Sequence, residues 1–102
     1  MREQGKCRKH IFISGMVQGV GFRYFAYGLA KELMVNGFIR NLPDGRVEVI
    51  AEGGNDAVEA LVENLKKGPS FSKVTDVKIV EEDYDGEFED FTITMADGSV
   101  LM

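Results

Sequence analysis

The sequence contains a single cysteine, Cys7, a single histidine, His10, two prolines and no tryptophan. One cysteine excludes an intramolecular disulfide, and with one histidine there is no Cys/His cluster from which to build a zinc site. No apolar stretch is long enough for a signal-peptide core or a membrane span, and Met1 to Lys9 are polar and mostly charged. These absences lead to the expectation of a reducing, cytoplasmic setting. Excess positive charge is missing too, since the formal net charge is −5. Residues 1–50 carry eight Lys and Arg against four Asp and Glu (+4), and residues 51–102 carry four against thirteen (−9). Such a chain lacks the concentrated basic face that nucleic-acid phosphates demand, whereas a small anion held at one local site remains compatible.

At 102 residues the chain suits one domain, 1–102, with a core of about 8–95. A hydrophobic fraction of 44%, with seven Phe and three Tyr, supplies enough apolar material for a core, which argues against disorder and for a chain that folds as a monomer. Ile11 and Ile13 alternate with polar or aromatic neighbours over Lys9 to Ser14, which predicts a strand. Phe22, Phe25, Ala26, Leu29, Ala30 and Leu33 then fall on one side of a helix, with Asn36-Gly37 as its expected stop. Phe38 to Asn41 predicts a second strand, Leu42-Pro43-Asp44-Gly45 a turn, and Arg46 to Glu52 a third strand. Asn55 is the expected cap of a second helix with the face Val58, Leu61, Val62 and Leu65, ended by Gly68-Pro69. A fourth strand is expected over Val74 to Glu82, an acidic solvated turn from Asp83 to Asp90 and a short fifth edge strand over Phe91 to Met95. Residues after Ala96 are expected to trail or fray.

The order β-α-β-β-α-β predicts an α/β (α+β) split sandwich, with two helices on one face of a mainly antiparallel sheet. A right-handed crossover through the first helix makes the first two strands parallel, whether or not another strand lies between them. Their C-terminal ends then open on the same edge, bringing residues 18–23 and Asn41 together from distant parts of the chain.

The segment Gly15 to Arg23 links a strand to a helix, where several N–H groups and a helix N-terminus can face one concavity and attract an anion. Glycines at 15, 19 and 21 permit crowded or left-handed backbone, and Arg23 brings a planar fork of donors. On these grounds alone the loop is either a phosphate or carboxylate cradle or a flexible connector with a surface arginine. It lacks the Gly-Lys-Ser/Thr ending of a nucleotide P-loop and the spacing of a dinucleotide fingerprint.

The stretch Ile13-Ser14-Gly15-Met16-Val17-Gln18-Gly19-Val20-Gly21-Phe22-Arg23 resembles the first signature of the acylphosphatases, Gly-x-Val-Gln-Gly-Val-x-Phe-Arg. Gly37-Phe38-Ile39-Arg40-Asn41, followed by Gly45, Val47 and Gly53, is similar to the second, and the resemblance covers roughly Arg8 to Ile93. It implies a ferredoxin-like sandwich that hydrolyses acyl phosphates to a carboxylate and inorganic phosphate without a metal or cofactor. It also implies that Arg23 binds the phosphate, assisted by the backbone of Gln18, Gly19, Val20, Gly21, Phe22 and Arg23, and that Asn41 orients the water. Two departures are Ile39, where Val, Ala or Cys is commoner, and a tail beyond Met95 that is longer than the family pattern.

Other polar residues read more plainly. His10 shows no obvious carboxylate partner in the sequence, Cys7 nothing that would activate a thiol, and Asp44 is a turn residue. Gln18 reads as a loop-shaping residue, and Tyr24 and Tyr27 are left to line the site or the surface. Two rival readings are an anion-binding module without turnover, including a domain for carbamoyl phosphate chemistry in a larger assembly, and an RNA-binding module on the same fold. The acidic charge and the Arg46-Val47-Glu48-Val49-Ile50 strand, which has no aromatic RNA-binding motif, oppose the last.

Overall fold

Alternating burial along β1, Lys6–Met16, sets two faces of a sheet: Cys7, Ile11 and Ile13 are buried, and Arg8, His10 and Phe12 point the other way. The computed structural model describes residues 5–102, so the first four residues of the polar leader lie outside the described residues. The remaining elements are α1 (Phe22–Leu33), β2 (Asn36–Asn41), β3 (Val47–Gly54), α2 (Asn55–Lys67), β4 (Lys73–Glu82) and β5 (Phe91–Ile93). The order is the expected one, and the fold is a ferredoxin-like sandwich.

The sheet runs β4-β1-β3-β2-β5. β3 lies antiparallel between β1 and β2, so those two strands run the same way, and β5 joins β2 in parallel. The loops after β1, β2 and β5 therefore leave from one edge. Both helices cover the face formed by Ile11, Ile13, Val47, Val49, Ala51 and Ile39, burying Phe22, Ala26 and Ala30 from α1 and Val58, Leu61, Val62 and Leu65 from α2. Burying each of the larger of these side chains contributes about 1.5–3 kcal/mol before chain entropy is counted.

Several local expectations need correction. α1 does not run to Asn36-Gly37; it stops at Met34, which takes the left-handed conformation (φ 60°) and donates its N–H to Lys31 O. Asn36 and Gly37 instead begin β2, because Gly37 lies against β3 so closely that a Cβ would stand 1.9 Å from Ile50 O. Asn55 is the first residue of α2 rather than its cap; Gly54 precedes it and makes no side-chain cap bond. Cys7 lies in the core, because β1 starts earlier than the apolar alternation suggested.

The acidic segment between β4 and β5 is not simply a solvated turn. Those strands occupy opposite edges of the sheet, so the connection crosses the helix-free face. Arg8 holds it there, reaching Glu87 at 2.7 Å, Glu82 at 2.9 Å and Asp85 at 3.5 Å. Phe88 packs against Phe38, and its N–H donates to buried Glu52. The tail also does not trail away. A turn brings Met95 N–H to Ser99 O and Gly98 N–H to Met95 O, and Leu101 N–H and Ile93 N–H then pair with Ile93 O and Met102 O.

Candidate functional site

β1 reaches the site through a bulge. Its pairing with β4 shifts between Ser14 and Gly15, where φ is +123° and a Cβ would meet Lys73 O at 2.0 Å. The bulge turns the chain into a loop whose Gly19 and Gly21 also have positive φ, of 74° and 79°. Gly21 precedes α1 with no side-chain cap, and the first turn of the helix carries no acidic residue. Among the described residues, the N–H groups of Gln18 through Arg23 make no hydrogen bonds. The positive end of the helix dipole and a run of uncommitted donors thus coincide, an arrangement suited to an anion.

Gln18 fixes this loop to the opposite side of the site. Its Nε2 donates to Leu42 O and to Arg46 O, both at 2.9 Å. Those carbonyls belong to the β2–β3 hairpin, directly after Asn41. Gln18 is therefore loop-shaping, as its sequence context suggests, with partners in the hairpin.

Asn41 ends β2 opposite Val47 and two residues from Ile39, so its side chain shares the helix-covered face with them. Its Oδ1 is buried and has no hydrogen-bond partner. Such an atom costs roughly 1–3 kcal/mol unless something donates to it. A depression of about 180 Å³ opens here, lined by Asn41, Leu42, Pro43, Arg40 and Ala96. A second, of about 140 Å³, is lined by Val17, Gly19, Gly21, Phe22, Arg23 and Tyr24. Besides Gln18, the tail joins the two: Met95 Sδ lies 4.0 Å from Arg23 Nη1, and the next residue, Ala96, lines the Asn41 depression. Arg23 forms no ion pair among the described residues, whereas Arg8, Arg40 and Arg46 each contact carboxylates.

Met95 and Ala96 carried no signal in the sequence. Their place depends on β5 pairing with β2 and on Thr94 N–H donating to Ile39 O, a contact across 55 residues.

His10 has carboxylate partners after all, contrary to the sequence reading. Its Nε2 is 2.6 Å from Glu48 Oε2 and its Nδ1 is 3.0 Å from Glu82 Oε2, residues 38 and 72 positions away that only the sheet brings near. This cluster sits on the helix-free face, away from Asn41. Burial pushes the Glu48 carboxyl upward, but hydrogen bonds to His10 and Arg40 outweigh it and hold the group below its ordinary value. Asp44 closes its turn as expected, accepting from Arg46 N–H at 3.0 Å. Tyr24 is exposed beside Arg23, while Tyr27 packs partly against the core.

A model of the acylphosphatase family matches residues 9–93. An acylphosphatase of Syntrophobacter fumaroxidans is 49% identical over 89 residues, which are 87% of this chain and 92% of that protein. One from Bifidobacterium longum is 54% identical over 72 residues, 71% of this chain and 74% of its own. The crystal structure of acylphosphatase from Bacillus subtilis aligns with a TM-score of 0.83 at 41% identity, covering 86% of this chain and 98% of the other. The family match over most of the chain, with relatives and a solved structure this similar, shows that the chain belongs to the acylphosphatase family, the hydrolases of acyl phosphates.

Proposed function

We propose that the N–H groups of residues 18–23 and the Arg23 guanidinium hold the phosphoryl group of an acyl phosphate while Asn41 positions the attacking water. The observation that carries this reading is the buried, unpartnered Oδ1 of Asn41, held across from the loop by the Gln18 bonds to the hairpin. A carboxamide offers both an acceptor and a donor, so it can orient a water without removing its proton. Water attacks phosphorus, the bond from phosphorus to the acyl oxygen breaks, and the carboxylate leaves with the electron pair. The water's proton passes to a phosphate oxygen. A stable carboxylate needs no strong general acid, so positioning and charge stabilisation suffice. Charge spread over the equatorial oxygens meets the amide cradle and the arginine fork.

The same reading makes the protein a metal-free, cofactor-free monomeric enzyme of one domain, working in the cytoplasm on a small-molecule substrate and binding neither nucleic acid nor membrane. No helix among the described residues is long and apolar enough to cross a membrane. Purified protein should release phosphate from acetyl phosphate in the presence of EDTA, and Arg23→Ala should lower kcat/KM by roughly 10²-fold. Turnover close to that of the unaltered protein in a folded Arg23→Ala variant refutes the role of Arg23. Tight phosphate binding without any hydrolysis would favour a binding module.

A further inference from the structure

We infer that Met95 is a modification site: oxidation of its thioether to the sulfoxide by a peroxide sets an oxygen acceptor on the Arg23 guanidinium and weakens phosphate binding there. The inference rests on the phosphate lying at Arg23, as proposed above. Met95 Sδ lies 4.0 Å from Arg23 Nη1, and the side chain is 40% exposed, open to a small oxidant. Exposure alone does not single it out, since Met34 and Met16 are 83% and 61% exposed. Contact does: among the described residues, no other methionine sulfur lies within hydrogen-bonding distance of a cationic side chain.

A thioether is a weak acceptor and leaves the guanidinium free for an anion. In the oxidation the O–O bond of hydrogen peroxide breaks, one oxygen bonds to sulfur, which loses two electrons, and the other leaves as water. The side chain becomes polar, and its oxygen competes with phosphate for the same Nη1. Arg23 has no carboxylate among the described residues to draw it elsewhere. Met95 is held where it can act. Its N–H donates to Ser99 O at 2.7 Å, its carbonyl accepts from Gly98 N–H at 2.9 Å, and Thr94 N–H donates to Ile39 O at 2.9 Å. The residue also lies beyond 93, where the family match stops, so the device belongs to this chain's tail.

The test treats the unaltered protein and Met95→Leu with dilute hydrogen peroxide, removes the excess with catalase, and locates the added oxygen by peptide mass spectrometry. Acetyl phosphate kinetics, with inorganic phosphate as competitor, are compared with each protein's own untreated sample. Oxidised unaltered protein should show KM and the phosphate inhibition constant raised about 10-fold, the worth of one hydrogen bond to a charged group, with kcat changing less. Methionine sulfoxide reductases of both epimer specificities, with dithiothreitol, should restore both constants, two thiols becoming a disulfide as the oxygen leaves as water. Met95→Leu keeps Cys7 and the other four methionines and should show no such change. Sulfoxide at Met95 with unchanged constants overturns the inference. So does equal loss in Met95→Leu, or a Met95 that stays reduced while Met16 and Met34 are oxidised. Full turnover in folded Arg23→Ala would instead show that the phosphate site is misplaced; turnover that needs Arg23 but ignores peroxide sinks only the role of Met95.

Discussion

Replacing Gln18 tests whether the loop and the hairpin are coupled as the two side-chain bonds indicate. Gln18→Ala removes both donations to the hairpin, each 2.9 Å long. The stranded carbonyls keep one partner each, because Leu42 O still accepts from Gly45 N–H and Arg46 O from Leu42 N–H. The loss therefore stays near the net value of two ordinary hydrogen bonds, about 1–2 kcal/mol together, rather than the full cost of two orphaned groups. For a domain of this size that corresponds to a melting temperature lower by about 5–10 °C. Gln18→Glu is the sharper probe: near neutral pH it places a carboxylate with no donor against two carbonyl oxygens and should be less stable than the alanine variant. Thermal unfolding followed by circular dichroism gives the first number. Acetyl phosphate kinetics give the second, with kcat/KM expected about 10-fold down as the cradle and Asn41 lose registration. A glutamate variant as stable as the unaltered protein would show that the donor chemistry of Gln18 does not matter.

Asn41→Ala should abolish most turnover, by roughly 10²-fold in kcat, while leaving stability unchanged or slightly raised, because a buried acceptor without a partner disappears. Inhibition kinetics with phosphate and a urea melt check both halves, and a large loss of stability would contradict it. Gly15→Ala should cost more than about 3 kcal/mol, since its Cβ would stand 2.0 Å from Lys73 O at a positive φ; Gly19→Ala, which meets open space, should cost only its backbone strain of about 1–2 kcal/mol. Paired urea titrations compare the two. Glu48 has a folded pKa below its ordinary 4.5, so its stabilising effect is complete above that pH and lost as pH falls through the folded value. Urea midpoints should thus be limited by Glu48 only on the acid side, and Glu48→Gln should flatten that limb while lowering stability at neutral pH by about 1–3 kcal/mol.

The alternation of Ile11 and Ile13 and the helical spacing from Phe22 to Leu33 are local patterns that determine which elements form, and the stretch from Gly15 to Arg23 with the one ending at Asn41 carries the family resemblance on which the proposed chemistry rests. Parallel β1 and β2 followed from the handedness of their crossover, which made the meeting of loop and Asn41 legible before any coordinates. Sequence did not disclose the partners of His10, the anchoring of the acidic crossing by Arg8 or the arrival of Met95 at Arg23. Each depends on contacts across 38 to 79 positions, which no nearest-neighbour preference encodes. Helix ends shifted for the same reason: Gly37 suits a helix stop by itself, but close approach of β3 claims it for a strand and leaves Met34 to take the left-handed turn. What the chain determines by itself is the set of elements and their chemistry; which side chains share a site is decided by the sheet, because strand pairing sums many weak, distant preferences into one register.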